Sequence, residues 1–440
     1  MKLGAGPLMK GLMVALVALV VLVPVQMLRG LIEERARSRQ EAVASVARGW
    51  GGEQVVGGPV LAIPVTIAPG GSRAATADID WYVLPESLTL ESELKVLDER
   101  RKLGVYEVPV YVATVHAGAT FNIESRVAEL MQSQSGAVVH LDRARLVVPV
   151  SDSRGLRDIR LTGAGVTDGS FEPDADFPIK ALSLALRPDV QIEKGAHQFD
   201  LSIQVAGTHS LSFLPTARST SVTLSGNWAD PGFTRGFLPV DRGVSNGRFN
   251  ARWQVLDLNR TFGSSWFGAS GVSGAVLQES AFGVELVQPV DLYLQAERSV
   301  KYAGLFIALS LLTLFVWEHL ARRPLHPIQY GLMGLALAVF YLLLLALAEH
   351  VGFRVAYTCA ATALCGLLAV YLSGAFNSAL SGSGAGAIFA GVYALLYLLV
   401  TSEDYSLLVG SLAVFALLAT AMVLTRRLDW YQATMRPQEE

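Results

Sequence analysis

Residues 355–402 read VAYTCAATALCGLLAVYLSGAFNSALSGSGAGAIFAGVYALLYLLVTS, a run of 48 residues that contains no charged side chain. A helix needs about 20 predominantly apolar residues to cross the hydrocarbon core of a bilayer. The run is therefore long enough for two membrane spans. Its middle is rich in Gly, Ser and Asn at 373–378 and 381–384, which predicts a loop between the two helices.

Four further apolar segments bring the predicted number of membrane spans to six. They occupy 11–28, 302–317, 328–348 and 405–425. Basic residues near the ends of the segments support this count, because six spans and a cytoplasmic N-terminus place all of them on the cytoplasmic side. These residues are Lys2, Lys10, Arg322, Arg323, Arg426 and Arg427. The charged run that follows the first segment argues against a cleavage site there, so that segment is predicted to be an uncleaved anchor.

The overall composition is an average of two different regions. The chain has 440 residues, of which 52% are hydrophobic and 17% are charged, with a net charge of −3. Only eight charged residues lie in 301–425, whereas 1–300 has the charge content of an ordinary water-soluble domain. The charge balance argues against nucleic-acid binding, the apolar content argues against disorder, and two cysteines cannot form a disulfide scaffold.

Residues 30–300 are predicted to form one large domain outside the membrane, on the side opposite to the termini. Short segments rich in Val, Ile, Tyr and Thr, separated by Gly and Pro, recur through this region and are predicted to be strands, and apolar and polar residues alternate regularly in 88–96. The predicted strands are 54–67, 79–84, 88–97, 104–115, 145–150, 179–186, 197–205, 210–213, 220–224 and 248–256. The pattern predicts a sandwich-like pair of packed sheets with one short helix at 123–131. The predicted fold class is therefore an α+β membrane protein in which a large β-rich domain is inserted between transmembrane helices 1 and 2. The predicted segments are an anchor at 1–29, the domain at 30–300, a five-helix membrane region at 301–425 and a tail at 426–440.

The two ends of the predicted domain carry specific expectations. Residues 29–48 contain no Pro and are rich in Glu, Arg and Ala, which predicts that the first span continues as a helix beyond the membrane. At the other end, 282–294 is predicted to be a strand.

Ionisable residues at the ends of the predicted spans are the first candidates for a chemical site. They are Glu318, His319 and His326 at one predicted membrane edge and Glu349 and His350 at the other. The two groups are separated by about the thickness of the membrane, so they cannot share one metal ion. Helix capping and headgroup contacts explain them best, and proton coupling or ion transport is the alternative.

A Gly-x-Ser-x-Gly sequence at 243–247 is the second candidate, with Ser245 at the nucleophile position. A nucleophile elbow needs a helix after the serine, whereas strand-like residues follow here. The Asn-Gly pair in this sequence is instead typical of a hairpin turn. A histidine beside Ser245, such as His209, would favour a hydrolase. Cys359 and Cys365 face different sides of one predicted helix and are interpreted as apolar filler. The sequence thus predicts no catalytic residue, no cofactor site and no metal site.

Several long and unusual strings match one protein family. They are VGGPVLAIPV at 56–65, WYVLPESL at 81–88, GVY at 104–106, KYA at 301–303, LHPIQY at 325–330, LAEHVGF at 347–353 and LDWY at 428–431. In these strings the chain resembles the CreD-type inner-membrane protein family over nearly its whole length. The resemblance implies the inner membrane of a Gram-negative-type envelope, a periplasmic location for the large domain and a role in envelope integrity. It also implies expression under a carbon-source-responsive two-component system linked to β-lactam and envelope stress.

The resulting hypothesis is a multi-pass inner-membrane protein of envelope integrity and stress response that catalyses no reaction. Its periplasmic domain is expected to bind cell-wall material, a lipid or an envelope protein, and its helices contact the lipid bilayer. No nucleic acid and no cofactor is expected as a partner. A transporter or lipid-handling protein is the alternative, and a membrane-bound hydrolase is the least favoured function. The ligand and the oligomeric state are left open by the sequence.

Overall fold

The computed structural model describes most of the chain and divides it into two compact units. The described residues are 7–67, 78–98, 101–103, 106–133, 137–166, 169–187, 195–233, 236–268, 271–287, 292–321 and 324–401, followed by a few positions between 408 and 422. One unit contains the described residues of 1–39 and 290–440, and the other contains those of 40–289.

The first unit is helical and the second is β-rich. The α-helices of the described residues are α1 (Pro7–Trp50), α2 (Ile123–Ser133), α3 (Gly274–Glu279), α4 (Leu292–Ala321), α5 (Pro327–Val351), α6 (Phe353–Phe376) and α7 (Ala379–Thr401). The first strands are β1 (Gln54–Val56), β2 (Val60–Ile67), β3 (Asp78–Val83), β4 (Ser87–Val96), β5 (Arg101–Leu103), β6 (Tyr106–Val108), β7 (Val110–Asn122), β8 (Ala137–Val139), β9 (Arg145–Pro149) and β10 (Leu156–Gly163). They are followed by β11 (Glu172–Asp174), β12 (Ala181–Ala185), β13 (Ala196–Thr208), β14 (Ser210–Phe213), β15 (Ser219–Gly226), β16 (Pro231–Gly232), β17 (Asp241–Ser245), β18 (Arg248–Leu256), β19 (Ser265–Phe267) and β20 (Phe282–Leu286).

Five helices, α1 and α4 to α7, are long and apolar enough to cross a membrane. The predicted continuation of the first span is confirmed, because α1 runs unbroken to Trp50. The short predicted span at 302–317 is the middle of the 30-residue helix α4. The sixth predicted span, 405–425, lies mostly outside the described residues.

Two sequence predictions at helix ends are corrected. The predicted strand 282–294 is wrong in its last part, since β20 ends at Leu286 and α4 begins at Leu292. Its final residues join the long apolar helix that follows, because extending an existing helix costs far less than starting a new element. The loop predicted around 374–384 is also much shorter. Asn377 caps α6 in the left-handed conformation, and α7 begins at Ala379.

The glycines that suggested a loop serve close helix packing instead. Gly382 lies in α7, where a Cβ atom would collide with Ser373 of α6. Gly386 lies one turn further on, and a Cβ there would be 2.7 Å from the Cβ of Ala369. Small residues at such positions let the backbones of membrane helices approach one another.

The predicted large β-rich domain is confirmed, and its strands form three main sheets. Sheet I has seven strands in the order β10-β13-β7-β4-β15-β18-β17. Sheet II has the order β11-β12-β9-β2-β3-β19, with β8 also paired to β2. Sheet III has the order β1-β14-β20-β16, and β5 and β6 form a separate hairpin. Sheet I is antiparallel except between β4 and β15, which run parallel.

All three sheets contribute to one buried apolar core. Leu90 and Trp253 of sheet I, Ile63 of sheet II and Phe282 of sheet III belong to the same cluster. A second cluster, which includes Leu277 of α3, covers the opposite face of sheet II. Sheet II is therefore buried on both faces, whereas sheet I buries one face and exposes the other. The strict alternation of buried and exposed residues in β4 and β18 follows from this arrangement.

The last residues of α1, which belong to the β-rich unit, are held within it by polar contacts. Trp50 donates a hydrogen bond from its indole N–H to the carbonyl of Tyr111, at 3.3 Å. Gln54 is fully buried, and its amide donates to the carbonyl oxygens of Asp152 (3.2 Å) and Ala206 (2.9 Å). These contacts join the first residues after α1 to two segments that are about 100 and 150 residues away in sequence.

Candidate functional site

The exposed face of sheet I carries a row of polar side chains that crosses the whole sheet. The strand registers place one residue of each strand opposite the next, from β10 to β17. In strand order these residues are Arg160, Ser202, His116, Glu91, Thr223, Arg252 and Asp241. We call them the cross-sheet row. Each is exposed or half-buried, so all seven are accessible to a ligand in this unit.

The rows on either side are polar as well. One consists of Thr162, Asp200, Gly118, Thr89, Ser221 and Gln254. The other consists of Asp158, Gln204, Thr114, Glu93, Ser225 and Asn250. Neighbouring strands lie about 4.8 Å apart, so seven strands give a hydrophilic face roughly 30 Å wide.

Two shallow depressions lie on this face. The larger has a volume of about 520 Å³ and is lined by residues that include Glu91, His116, Gly118, Arg160, Asp200 and Ser202. Gly118 keeps its floor open, because the glycine places no side chain there. The smaller depression, of about 400 Å³, is lined by Thr223, Asp241, Arg242, Gly243, Asn250 and Arg252.

Three ionisable side chains of the cross-sheet row have no salt-bridge partner among the described residues. Glu91, His116 and Arg252 form no salt bridge in the part of the chain that the structure describes, although carboxylate and basic groups face the same side of the sheet. Arg160 pairs with its neighbour Asp158 at 3.0 Å, and both side chains are largely exposed. The face thus offers donors and acceptors to a polar ligand, whereas its three rows contain no large apolar residue that could contact an acyl chain.

A second set of charged side chains, on sheet II, forms hydrogen bonds and ion pairs within the protein. The Arg145 guanidinium donates to both carboxylate oxygens of Asp80, at 3.0 and 2.6 Å, and to Asp174 at 3.1 Å. Burial alone would lower the pKa of Arg145, but the two carboxylates raise it above its usual value. The Asp174 carboxylate also accepts backbone N–H bonds from Asp176 and Phe177. This group therefore fixes the segment after β11 and is structural.

A buried arginine in the segment after β18 is also structural. Arg260 donates to the carbonyl of Pro215 at 3.1 Å and to the hydroxyl of Ser264 at 2.9 Å. Its guanidinium lies 4.6 Å from the ring centre of Phe262, a cation–π distance. Burial lowers the pKa of Arg260 to about 10.

The ionisable residues predicted at the ends of the spans are not brought together into one site. Glu318 is buried, and its Oε2 accepts a hydrogen bond from the Tyr330 hydroxyl at 2.6 Å. The side chain of His319 lies outside the described residues. His326 caps α5, where its Nδ1 accepts the backbone N–H of Ile328 at 3.3 Å. Capping is thus confirmed for His326, whereas the burial of Glu318 beside a tyrosine was not foreseen.

The second pair of ionisable residues has separate partners. Glu349 accepts a hydrogen bond from the Tyr293 hydroxyl at 3.1 Å and lies 3.8 Å from Nε of Arg35. A ring nitrogen of His350 lies 3.1 Å from the carbonyl oxygen of Ala346, one turn earlier. Among the described residues no group of three or more His, Cys, Asp or Glu side chains could hold a metal ion.

The serine sequence at 243–247 forms a hairpin between strands. Ser245 ends β17, and β18 begins three residues later, so no helix follows the serine. Asn246 and Gly247 have φ of 50° and 72°, as a two-residue hairpin loop requires. His209, the histidine considered as a base, lies 2.9 Å from Glu285 on sheet III. The strand–turn–helix geometry of a nucleophile elbow is not present at Ser245.

Sequence reasoning did not identify the cross-sheet row, although one signal for it was visible. The alternation in 88–96 correctly predicted which residues of β4 face away from the core, Glu91 among them. The other members come from six strands whose order in the sheet could not be read from the sequence. Neither β10 nor β17 was among the predicted strands, although the hairpin turn predicted at Asn246-Gly247 implies a strand before it.

Comparison with known proteins agrees with the resemblance found in the sequence. Residues 7–431 match the family model described as inner membrane protein CreD. The inner membrane protein CreD of Escherichia coli (strain K12) is 33% identical over 433 residues, which cover 94% of this chain and 91% of that protein. The match includes both the helical unit and the β-rich unit. The chain therefore belongs to the CreD family of inner membrane proteins.

Proposed function

We propose that this protein maintains the cell envelope under stress by binding a polar envelope component on the exposed face of sheet I, without catalysing a reaction. The cross-sheet row is the observation that carries the proposal. It presents charged and hydroxyl groups from a rigid sheet, and rigid elements hold binding groups more precisely than loops do. A cell-wall polymer fits this face best, because the face is wide, hydrophilic and without an apolar platform.

The proposed topology has six membrane spans, with both termini in the cytoplasm and the β-rich unit in the periplasm between spans 1 and 2. The order of elements supports it, since α1 precedes all the strands and α4 to α7 follow them. The placement of basic residues at the predicted cytoplasmic ends supports the orientation. Labelling of single cysteines with an impermeant maleimide tests it, in a chain whose Cys359 and Cys365 are replaced.

Two cysteine positions distinguish the two sides of the membrane. Glu172→Cys, in the β-rich unit, is expected to react in intact cells. Glu440→Cys is expected to react only after the membrane is permeabilised. The reverse pattern would contradict the proposed orientation.

Binding is tested with full-length protein in detergent and purified cell-wall sacculi. The double variant Glu91→Lys, Arg252→Glu reverses two charges of the cross-sheet row, and Glu172→Lys reverses an exposed charge on sheet II as a matched control. We expect wild type and control to sediment with the sacculi and the double variant to remain in solution. In cells, the double variant is expected to lose tolerance of β-lactam stress at unchanged protein abundance. Wild-type binding and tolerance in the double variant would reject the proposal.

Transport or lipid handling is a second candidate, favoured by one observation in the helical unit. The hydroxyls of Tyr341 and Tyr393 are buried and have no hydrogen-bond partner among the described residues. An unsatisfied polar group costs several kcal/mol in the hydrocarbon core, which favours a polar species beside them. Flux of a solute or lipid through reconstituted protein that Tyr341→Phe abolishes would favour this function over binding alone.

A further inference from the structure

The free edge of sheet I has the properties of a peptide-binding edge. β17 ends the strand order, and no other described strand pairs with its outer side. All five of its residues are exposed. Ser245 and Arg248 flank a two-residue hairpin loop, so they form a hydrogen-bonded pair. Going back along β17 from Ser245, non-hydrogen-bonded and hydrogen-bonded pairs with β18 alternate. Arg242 and Val244 therefore direct their backbone N–H and C=O groups away from β18.

This edge also exposes large apolar side chains. Leu238, Val240 and Val244 have 70%, 72% and 51% of their surfaces exposed. Val244 lies opposite the buried Phe249, so it extends the core-facing side of the sheet beyond the covered region. An exposed edge with an apolar side is a template for pairing with another chain, and proteins normally block it.

The opposite edge of the same sheet shows such a block. The register of β10 shifts between Leu156 and Asp158, which indicates a bulge. Arg157, Asp158 and Arg160 are exposed there. Bulges and charges are the usual means of preventing edge pairing. Over Asp241–Ser245 the register of β17 with β18 is continuous, and the strand contains no Lys or Pro. It carries the charged residues Asp241 and Arg242, and the N–H of Val240, just before it, donates to the carbonyl of Arg252 at 2.8 Å, so the open part of this edge runs from Arg242 to Ser245.

We propose that an extended segment of a partner protein adds to β17 as an eighth strand, with apolar side chains beside Val240 and Val244 and acidic side chains towards Arg252. Strand addition supplies backbone hydrogen bonds, and alternate side chains supply specificity. The acidic preference follows from the smaller depression, which Arg242 and Arg252 line together with the single carboxylate of Asp241. This inference differs from the polymer binding proposed for the face, because its apolar contacts use Val240 and Val244, which are not in the cross-sheet row. The two proposals share Arg252 and the smaller depression.

A second copy of this chain fits the edge poorly. Antiparallel self-pairing about a twofold axis at Arg242 would set two arginines opposite each other, and pairing about Asp241 would set two aspartates opposite each other. Like charges directly opposite destabilise a strand pair. Pairing about Gly243 brings Arg242 opposite Val244 and Asp241 opposite Ser245, and pairing about Val244 brings Val244 opposite itself and Arg242 opposite Asn246. Both registers avoid the like-charge conflicts, but neither places a carboxylate opposite Arg242. An acidic partner strand satisfies the edge better than another β17.

The test uses full-length protein in detergent and two fluorescent hexapeptides, one alternating glutamate with valine and one alternating lysine with valine. Val244→Pro removes an outward N–H while leaving the bonds to β18, and Val244→Thr keeps that N–H as the matched control. We expect the acidic peptide alone to bind wild type and the threonine variant, with affinity about tenfold weaker in the proline variant. Arg252→Glu is expected to shift the preference to the basic peptide.

Hydrogen exchange supplies an independent measurement on the wild-type chain. The acidic peptide is expected to slow exchange of the Val244 amide, which faces solvent in the free protein. Equal binding of both peptides, full binding by Val244→Pro or unchanged Val244 exchange would overturn the inference. A concentration-dependent dimer that Val244→Pro abolishes would also overturn it, because the occupant would then be a second copy.

Discussion

Replacement of Gln54 by alanine is a direct test of how the end of α1 is held. The Gln54 side chain is fully buried, and its amide group donates to the carbonyls of Asp152 and Ala206. Alanine leaves both carbonyls without this donor and leaves an empty space where the amide was. Water does not compensate readily, because Gly51 and Gly155 pack against the same position.

The expected cost can be estimated from these contacts. Each lost buried hydrogen bond contributes about 1 kcal/mol and the space left by the side chain about 1 kcal/mol, so the free energy of unfolding falls by about 3 kcal/mol. One kcal/mol shifts the melting temperature of a unit of about 250 residues by about 2–4 °C. Gln54→Ala is therefore expected to lower the melting temperature of the β-rich unit by about 6–12 °C.

Tryptophan fluorescence during thermal unfolding measures this effect in the full-length protein, because five of the seven tryptophans lie in 40–289. Gln204→Ala is the matched control, since Gln204 is exposed on β13. Gln54→Met fills the space without donating hydrogen bonds and is expected to show about two-thirds of the loss. An unchanged melting temperature in Gln54→Ala, or an equal loss in the control, would refute this account of how Gln54 holds the end of α1.

Three further predictions concern other contacts. Hydrogen bonds from Arg154 lower the pKa of Asp152 from 3.8 to about 2. The Asp152 carboxylate therefore stabilises the fold above about pH 4, and this stabilisation is lost as the pH falls towards 2. In acid titrations followed by fluorescence, the stability difference between wild type and Asp152→Asn should shrink over that range. Tyr330→Phe removes the donor to buried Glu318 and should destabilise the helical unit by about 1–3 kcal/mol, measured by circular dichroism in detergent. Gly386→Leu should lower the melting temperature of that unit and Gly391→Leu should not, because only at Gly386 would a Cβ meet a neighbouring helix.

The helices could be predicted from the sequence because their signal is local. About 20 apolar residues in succession identify a span whatever the rest of the chain does. The same signal fails at boundaries, where a short apolar run does not distinguish strand from helix, as at 282–294. It also fails where glycine has two roles. Gly382 suggested a loop by composition, but its role depends on Ser373 of another helix.

Individual strands were predicted where their two faces differ. β14 and β18 begin and end at the predicted residues, Ser210–Phe213 and Arg248–Leu256. The predicted strand at 54–67 is divided by Gly57, Gly58 and Pro59 into β1 and β2, which belong to different sheets. β10 and β17 were missed because neither has a regular apolar face. Both are edge strands, where little or none of the core lies beneath the side chains.

The cross-sheet row could not be predicted because it depends on pairing between distant strands. Its centre is formed where β4 meets β15 in parallel, which sets Glu91 beside Thr223 although 132 residues separate them in sequence. A shift of one residue in that pairing would turn the outward side chains of one strand into the core. The row is therefore a property of strand order and register, and no short motif could reveal it.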